Sequence, residues 1–508
     1  MGRTTLFCAS TLFGAMTLAA ACDEGLFGTG RRVLLVSNNA AIPEITPALD
    51  DAPGFAGIRD RFDEVVSWNA IIAPLHPSDW KARSVETPML GRLLSARLGE
   101  PDELVVESIT VPPSRTLAGL LKDIPITVYS DGLMSYGPTR FPLPREIAGR
   151  ITRLLHLDLV PGLAPLLLSE CGVPPVIVSR SALTRVIEQI KGDTPTTRAA
   201  DSGRESPHAA GSGHKAEHAD DLDQDAAPPA GSGQETRCAD GRGREAVILG
   251  QCLSSLDILT TAEEAGLHEA MLRGLAARGH RKVVFKPHPA AGRRHARELR
   301  PIAEELGVEL LIAPGTMPAE VCFAVHRPQL VVGCFSTALV TARRFFGIPA
   351  ATVGGDLVLE RLSPYENGSR IPATVIDASL PRLSVDGSLV EPPPVDLNAL
   401  VRAVGYCMRS AAHPDLREAA AAFIKDNIKD GGAARYFKHR RLSSLALLPT
   451  PMPDPASGRE PKEESPPGQG RDPEPSVQPI QGAEPTQGTP GPGSAKTPVS
   501  RLRRFLSR

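Results

Sequence analysis

The sequence predicts an α/β protein in which two Rossmann-like domains face a cleft, and three observations carry that expectation. Short apolar strands alternate with amphipathic helices from about residue 4 to 190. The alternation stops across 192–243, where large apolar residues almost vanish. It restarts at Glu245 and continues to about residue 353. The expected units are an N-terminal domain at 1–191, a linker at 192–243, a second domain with closing helices at 244–448, and a tail at 449–508. Linker and tail are rich in Gly, Pro, Ser and charge. They bury too little apolar surface to offset their ordering entropy and are expected to be disordered.

Taken in order, Thr4–Ala9 reads as a strand, Thr11–Leu26 as a helix capped by Ser10 or Thr11, and Arg31–Ser37 as a second strand, which together make a βαβ unit. Gly14 lets this helix start close to a ligand or to neighbouring backbone. The Leu/Phe/Ala-rich stretch 6–22, ending at Cys22, also resembles a lipoprotein signal. Ser10, Thr11 and Gly14 interrupt it, however, and the chain runs directly on into a strand, so the βαβ unit explains more. Further strands are expected at Glu64–Trp68, Asp102–Ile109 and Ile126–Tyr129, with helices at Thr87–Leu98, Ser114–Lys122, Arg145–Leu168 and Ser181–Lys191. In the second half, strands are expected at Glu245–Gly250, Lys282–Lys286, Val308–Ala313, Leu330–Gly333 and Ala350–Val353. Helices fall at Thr261–Arg278, Ala291–Leu306, Pro318–His326 and Ser336–Phe346, with closing helices across 395–440.

Composition excludes some function classes. With 56 basic against 58 acidic residues and 4% aromatics, the chain has neither the field nor the stacking platforms of a nucleic-acid binder. Its eight cysteines form no C-x-x-C pair and mostly lie in apolar runs, as expected of reduced, cytosolic thiols. Outside 6–22, no stretch approaches the roughly 18 consecutive apolar residues of a membrane span, so none is expected. His208, His214 and His218 fall in the linker without supporting ligands on a regular element, so no metal site is expected. The basic tip Arg501–Arg508 is a candidate for peripheral contact with an anionic membrane surface, a solvated tail being the plainer alternative.

Four strand ends carry candidate chemistry. The strand Lys282–Lys286 stops at Pro287-His288-Pro289, because proline cannot donate to a ladder. Lys286 and His288 are thereby expected at a carboxyl edge, where open α/β sheets bind ligands and where this pair suits a phosphate. Tyr129-Ser130-Asp131-Gly132 puts the carboxylate of Asp131 at another strand end, as a turn residue or as a general base. Glu320 lies in the first turn of a short helix, favoured there by the helix dipole. At a cleft edge such a carboxylate can also accept from an exocyclic amine of the kind cytosine carries. Ser336 and Thr337 open a helix, either as a plain N-cap or as a phosphate cradle of hydroxyls and N–H groups.

The stretches Tyr-Ser-Asp-Gly at 129–132, Lys-Pro-His-Pro at 286–289, Met-Pro-Ala-Glu at 317–320 and Ser-Thr at 336–337 resemble the ordered motifs of bacterial sialyltransferases, closest to the alpha-2,8-polysialyltransferase family. The resemblance implies a GT-B fold, CMP-sialic acid as donor, inversion at the anomeric carbon, no cofactor and no metal. It further implies Asp131 as the base acting on the acceptor hydroxyl, and His288 as the group that stabilises or protonates the departing phosphate. Lys286, Ser336 and Thr337 would bind that phosphate and Glu320 would read cytosine. Two departures stand out: Ser130 precedes Asp131 where the family has an acidic pair, and Thr337 replaces a serine common among relatives. The other expectations compatible with these residues are a GT-B transferase using another nucleotide donor and a non-catalytic nucleotide-binding protein. Activated sugar donors being cytosolic, the expected location is the cytoplasm, with the inner face of the plasma membrane as a candidate for peripheral contact.

Overall fold

The structure is a computed structural model and describes residues 2–193, 245–289, 294–428 and 432–448. All but the first two residues of the expected linker, its three histidines, and the whole of the expected tail with its basic tip lie outside the described residues.

Two seven-stranded sheets organise the chain in a GT-B-like, doubly wound arrangement. The first contains β1 (Thr4–Ala9), β2 (Arg31–Val36), β3 (Glu64–Ser67), β4 (Glu103–Glu107), β5 (Ile126–Ser130), β6 (Ile151–Leu157) and β7 (Pro175–Val178). Its order is β3-β2-β1-β4-β5-β6-β7, parallel throughout. The second contains β8 (Glu245–Leu249), β9 (Lys282–Lys286), β10 (Glu309–Ile312), β11 (Leu330–Gly333), β12 (Ala350–Thr352), β13 (Arg382–Leu383) and β14 (Leu389–Val390). It is ordered β10-β9-β8-β11-β12-β13-β14, with only the β13–β14 pair antiparallel. Parallel strands need helical crossovers that cover both faces of a sheet, and their interiors are accordingly apolar. Phe7, Val33, Leu34, Val105, Val247, Ile248, Val283 and Val284 are all buried. One buried cluster runs through both sheets, and a second fills the other face of the first sheet.

In each sheet the strand order reverses once, between β1 and β4 and between β8 and β11. These reversals leave crevices at the strands' carboxyl ends, which is where ligands bind in such sheets. The two sheets are also joined through their helices. The Ala319–His326 helix packs on the Arg180–Asp193 helix, Arg180 donates to the Phe345 carbonyl at 2.8 Å, and Arg344 pairs with Asp158 at 3.0 Å.

Most expected elements lie where the pattern puts them, but the stretch 145–168 is corrected. Only Arg145–Ala148 is helical, and β6 occupies Ile151–Leu157 as an interior strand. A short leucine-rich run does not reveal its period, and here β5 and β7 on either side supply ladders that a helix would leave unpaired. β7 and the helices Gly355–Arg361 and Arg370–Ser379 also appear where the sequence reading placed no element. Of the two neighbours expected for Gly14, a ligand or other backbone, the second is not found. The helix Leu12–Asp23 is capped by Thr11, but the close neighbour of Gly14 is a side chain: a Cβ there would lie 3.0 Å from Thr11 Oγ1 and 3.1 Å from the Tyr129 hydroxyl. That hydroxyl donates to the Cys8 carbonyl at 3.1 Å, which ties the end of β5 to β1.

Substituting Gly14 with valine is therefore expected to lower unfolding free energy by about 1–3 kcal/mol through overpacking against Tyr129. By contrast Gly266→Ala, with open space around a mid-helix position, should be neutral or stabilise by up to about 1 kcal/mol. Urea denaturation of the two variants checks both signs.

Candidate active site

The carboxyl ends of both sheets enclose a cleft of about 970 Å³. From the first sheet its wall takes Ser10 and Thr11 after β1, Asn38 and Asn39 after β2, and Thr110, Arg115 and Arg140. The second sheet contributes Gln251 and Cys252 after β8, His288 after β9, and Phe335 after β11. Both strand-order reversals thus open into one space. Of the six residues singled out from sequence, His288 is on this wall, and Asp131, Lys286, Glu320, Ser336 and Thr337 are not among the residues that line it.

His288 is placed by the end of β9. Gly250 N donates to the Lys286 carbonyl at 2.9 Å, which continues the β8–β9 pairing by one residue and brings Cys252 alongside. A Cβ on Gly250 would lie 2.8 Å from the Phe285 ring, so only glycine permits this approach. Cys252 Sγ is 3.3 Å from His288 Nδ1. Loss of hydration, reinforced by the Lys286 cation, pushes the imidazole down to about 4, so the ring is neutral at pH 7. Burial pushes the Cys252 thiol up to about 12, so it keeps its proton. A neutral histidine acts on a phosphate as an N–H donor rather than as a standing acid.

Lys286 turns into the protein. It is 4% exposed and donates to the carbonyls of Pro287 and of Gly315, the latter at 3.2 Å. Desolvation draws its pKa down to about 8, partly offset by Cys322 and Glu320, which leaves the ammonium mostly charged at pH 7. Glu320 is equally buried at the start of the Ala319–His326 helix, and its Oε1 accepts from Thr341 Oγ1 at 2.7 Å. Burial raises its pKa, opposed by that hydrogen bond and by Lys286.

Asp131 and Thr337 belong to a joint between the two sheets. Asp131 is half-buried and follows β5 directly. Leu133 N donates to Thr337 Oγ1 at 3.2 Å, and a Cβ on Gly132 would come within 3.1 Å of the same oxygen. Ser336 caps the Thr337–Phe346 helix through Ala338 N at 3.3 Å. The turn after Asp131 also packs on the Arg370–Ser379 helix, where a Cβ on Gly137 would lie 3.2 Å from Ile371.

Sequence reading passed over Gln251, Cys252 and Glu264. Gln251 Oε1 accepts from Phe335 N at 2.9 Å and so ties the ends of β8 and β11 together. Glu264 is fully buried and accepts from Leu253 N, from Ser254 N and from the Ser254 hydroxyl, at 2.9, 2.9 and 2.6 Å. The available signal was position: Gly250-Gln251-Cys252 directly follows a central strand. Among the described residues no group of three or more His, Cys, Asp or Glu is arranged to hold a metal ion. No described helix is long and apolar enough to cross a membrane.

Residues 5–354, well over half of the chain, match the model of a family described as alpha-2,8-polysialyltransferase. A search of curated proteins found no match. Among solved structures the chain is similar to UGT73P12 of Glycyrrhiza uralensis, complexed with glycyrrhetinic acid 3-O-monoglucuronide, at 11% identity and a TM-score of 0.39, covering 88% of this chain and 97% of that one. It is also similar to an alpha/beta-galactoside alpha-2,3-sialyltransferase of Photobacterium phosphoreum, at 11% identity and a TM-score of 0.33, covering 74% and 96%. A third similar structure is the ADP-heptose LPS heptosyltransferase II of E. coli, at 12% identity and a TM-score of 0.32, covering 69% and 84%.

Stability should depend on pH through the buried His268 and the half-buried His288. Burial pushes His268 and His288 down to about 4, so both are neutral in the folded chain while the unfolded chain protonates near 6.5. Their contribution to stability is therefore complete above pH 6.5 and is lost as pH falls toward 4. For His268 the loss by pH 5 should reach at most about 2 kcal/mol. Denaturant melts at pH 7 and pH 5 should show a smaller drop for His268→Phe than for the unsubstituted protein.

Proposed function

The chain belongs to the alpha-2,8-polysialyltransferase family, and from that premise we propose that it transfers sialic acid from CMP-sialic acid to a glycan hydroxyl with inversion at the anomeric carbon. As a glycosyltransferase of this family it takes a nucleotide-sugar donor and a glycan acceptor. The observation that supports the finer reading is His288, a neutral imidazole on the wall of the cleft that both strand-order reversals share.

In the proposed reaction Asp131 removes the proton from the acceptor hydroxyl, and that oxygen forms the new bond to the anomeric carbon. The bond from this carbon to the phosphate oxygen breaks on the opposite face, and its electron pair leaves with CMP. His288 donates its N–H to the phosphate as charge develops, which is where a preorganised donor lowers the barrier. Ser336, Thr337 and the N–H groups of their helix start complete the phosphate subsite. Lys286 acts from beneath, adding positive potential at the end of β9 while its bonds to the Pro287 and Gly315 carbonyls hold the loops in place. To accept from the cytosine amine, Glu320 must release Thr341 and turn toward the donor. A single carboxylate suffices as base, although Ser130 supplies no second charge toward the acceptor. The cytoplasm is the proposed location, because the activated donor is made there.

The test is calorimetric titration with CMP, CDP, UMP and GMP, paired with release of CMP from CMP-sialic acid in the presence of glycan acceptors. CMP is expected to bind in preference to UMP and GMP, and Glu320→Gln to weaken that preference. Asp131→Asn should leave CMP binding intact and lower kcat at least about 100-fold. His288→Ala should lose about 2–4 kcal/mol of transition-state stabilisation. Preference for UMP or GMP would replace the donor, and nucleotide binding without turnover would replace the enzyme by a binding protein.

A further inference from the structure

We propose that Cys252 is a positioning residue for the transfer, its thiol donating S–H to His288 Nδ1 and so holding the imidazole proton on Nε2. This rests on the reading of His288 as the donor to the departing phosphate, and it adds what sets that donor's direction. In a neutral imidazole one nitrogen donates and the other accepts, and the bond made by one decides the role of the other. Nδ1 has the cysteine sulfur 3.3 Å away. A protonated thiol is a weak donor and a weak acceptor, whereas an unprotonated ring nitrogen is a good acceptor for its S–H. The pairing that uses both partners best therefore runs from S–H to Nδ1.

Three further bonds keep the sulfur there. Gly250 N to the Lys286 carbonyl fixes the chain two residues before Cys252 against the residue two before His288. Leu253 N and Ser254 N, immediately after Cys252, both donate to the buried Glu264 carboxylate. The cysteine is thus held from both sides on a loop with little freedom, and Cys252 and His288 both lie on the cleft wall. An ordinary packing cysteine needs neither a ring nitrogen at bonding distance nor a place on that wall.

The experiment compares Cys252→Ala, which removes the donor, with Cys252→Ser, whose hydroxyl can replace it. Ring-nitrogen NMR of histidine-labelled full-length protein, with His288→Gln to assign the signals, reads the tautomer directly. The expected result is a protonated Nε2 and an unprotonated Nδ1 in the unsubstituted protein and in Cys252→Ser, with both signals moving toward exchange-averaged values in Cys252→Ala. Transfer should fall about 10-fold in kcat for Cys252→Ala, with KM for the donor little changed and most of the rate recovered in Cys252→Ser. Nitrogen signals unchanged in Cys252→Ala, or a serine variant as slow as the alanine one, would overturn the proposal. The two readings fail separately: absence of transfer from CMP-sialic acid alongside signals that still respond to Cys252→Ala would remove the donor assignment and leave the pair standing.

Discussion

The contact between the turn after β5 and the start of the Thr337–Phe346 helix is the constraint on which the rest of the site depends. A lone Leu133 N to Thr337 Oγ1 hydrogen bond is worth only about 0.5–1.5 kcal/mol net, too little to hold two sheets in register. Packing supplies the remainder. Gly132 and Gly137 let the turn approach Thr337 and Ile371 to distances at which any side chain would crowd them, and Arg409 donates to the Arg140 carbonyl at 3.1 Å alongside. Asp131, a carboxylate of the first sheet, is thereby set beside the hydroxyls and helix start of the second. The end of β5 and the start of that helix become parts of one joint.

Around the end of β9 it is burial, more than pairing, that sets the electrostatics. Lys286, His288, Cys252 and Glu320 are all displaced chiefly by desolvation, each toward its neutral form. Lys286 keeps its charge at pH 7 because its displaced value remains near 8, and its cation in turn helps to keep His288 neutral. The outcome is a neutral histidine on the cleft wall, two residues from a buried cation. This division of labour suits stabilisation of an anionic leaving group, where donors already aimed at the developing charge need no reorganisation.

Strand ends were legible because their punctuation is local. Pro287 and Pro289 stop β9, Gly132 follows Asp131, and Ser336 caps a helix, and each of these acts through its own backbone. The stretch 145–168 was misread because a leucine-rich run is consistent with a buried helix or a buried strand, and only the unpaired edges of β5 and β7 choose between them. Cys252 was passed over for a related reason. In an apolar run it looks like a small packing residue, and its neighbour His288 is 36 positions away.

What the sequence by itself determined is the alternation of strands and helices, two parallel sheets, and the residue types at their carboxyl ends, since periodicity and turn chemistry are properties of adjacent residues. Only the tertiary structure decided which way those residues face. Lys286 and Glu320 sit at the expected strand and helix ends but turn into the protein, while Cys252, which carries no motif, reaches the cleft wall beside His288. The physical reason is that facing, burial and proton state are set by contacts between chain segments far apart in sequence, and desolvation exists only once those segments have closed over the group.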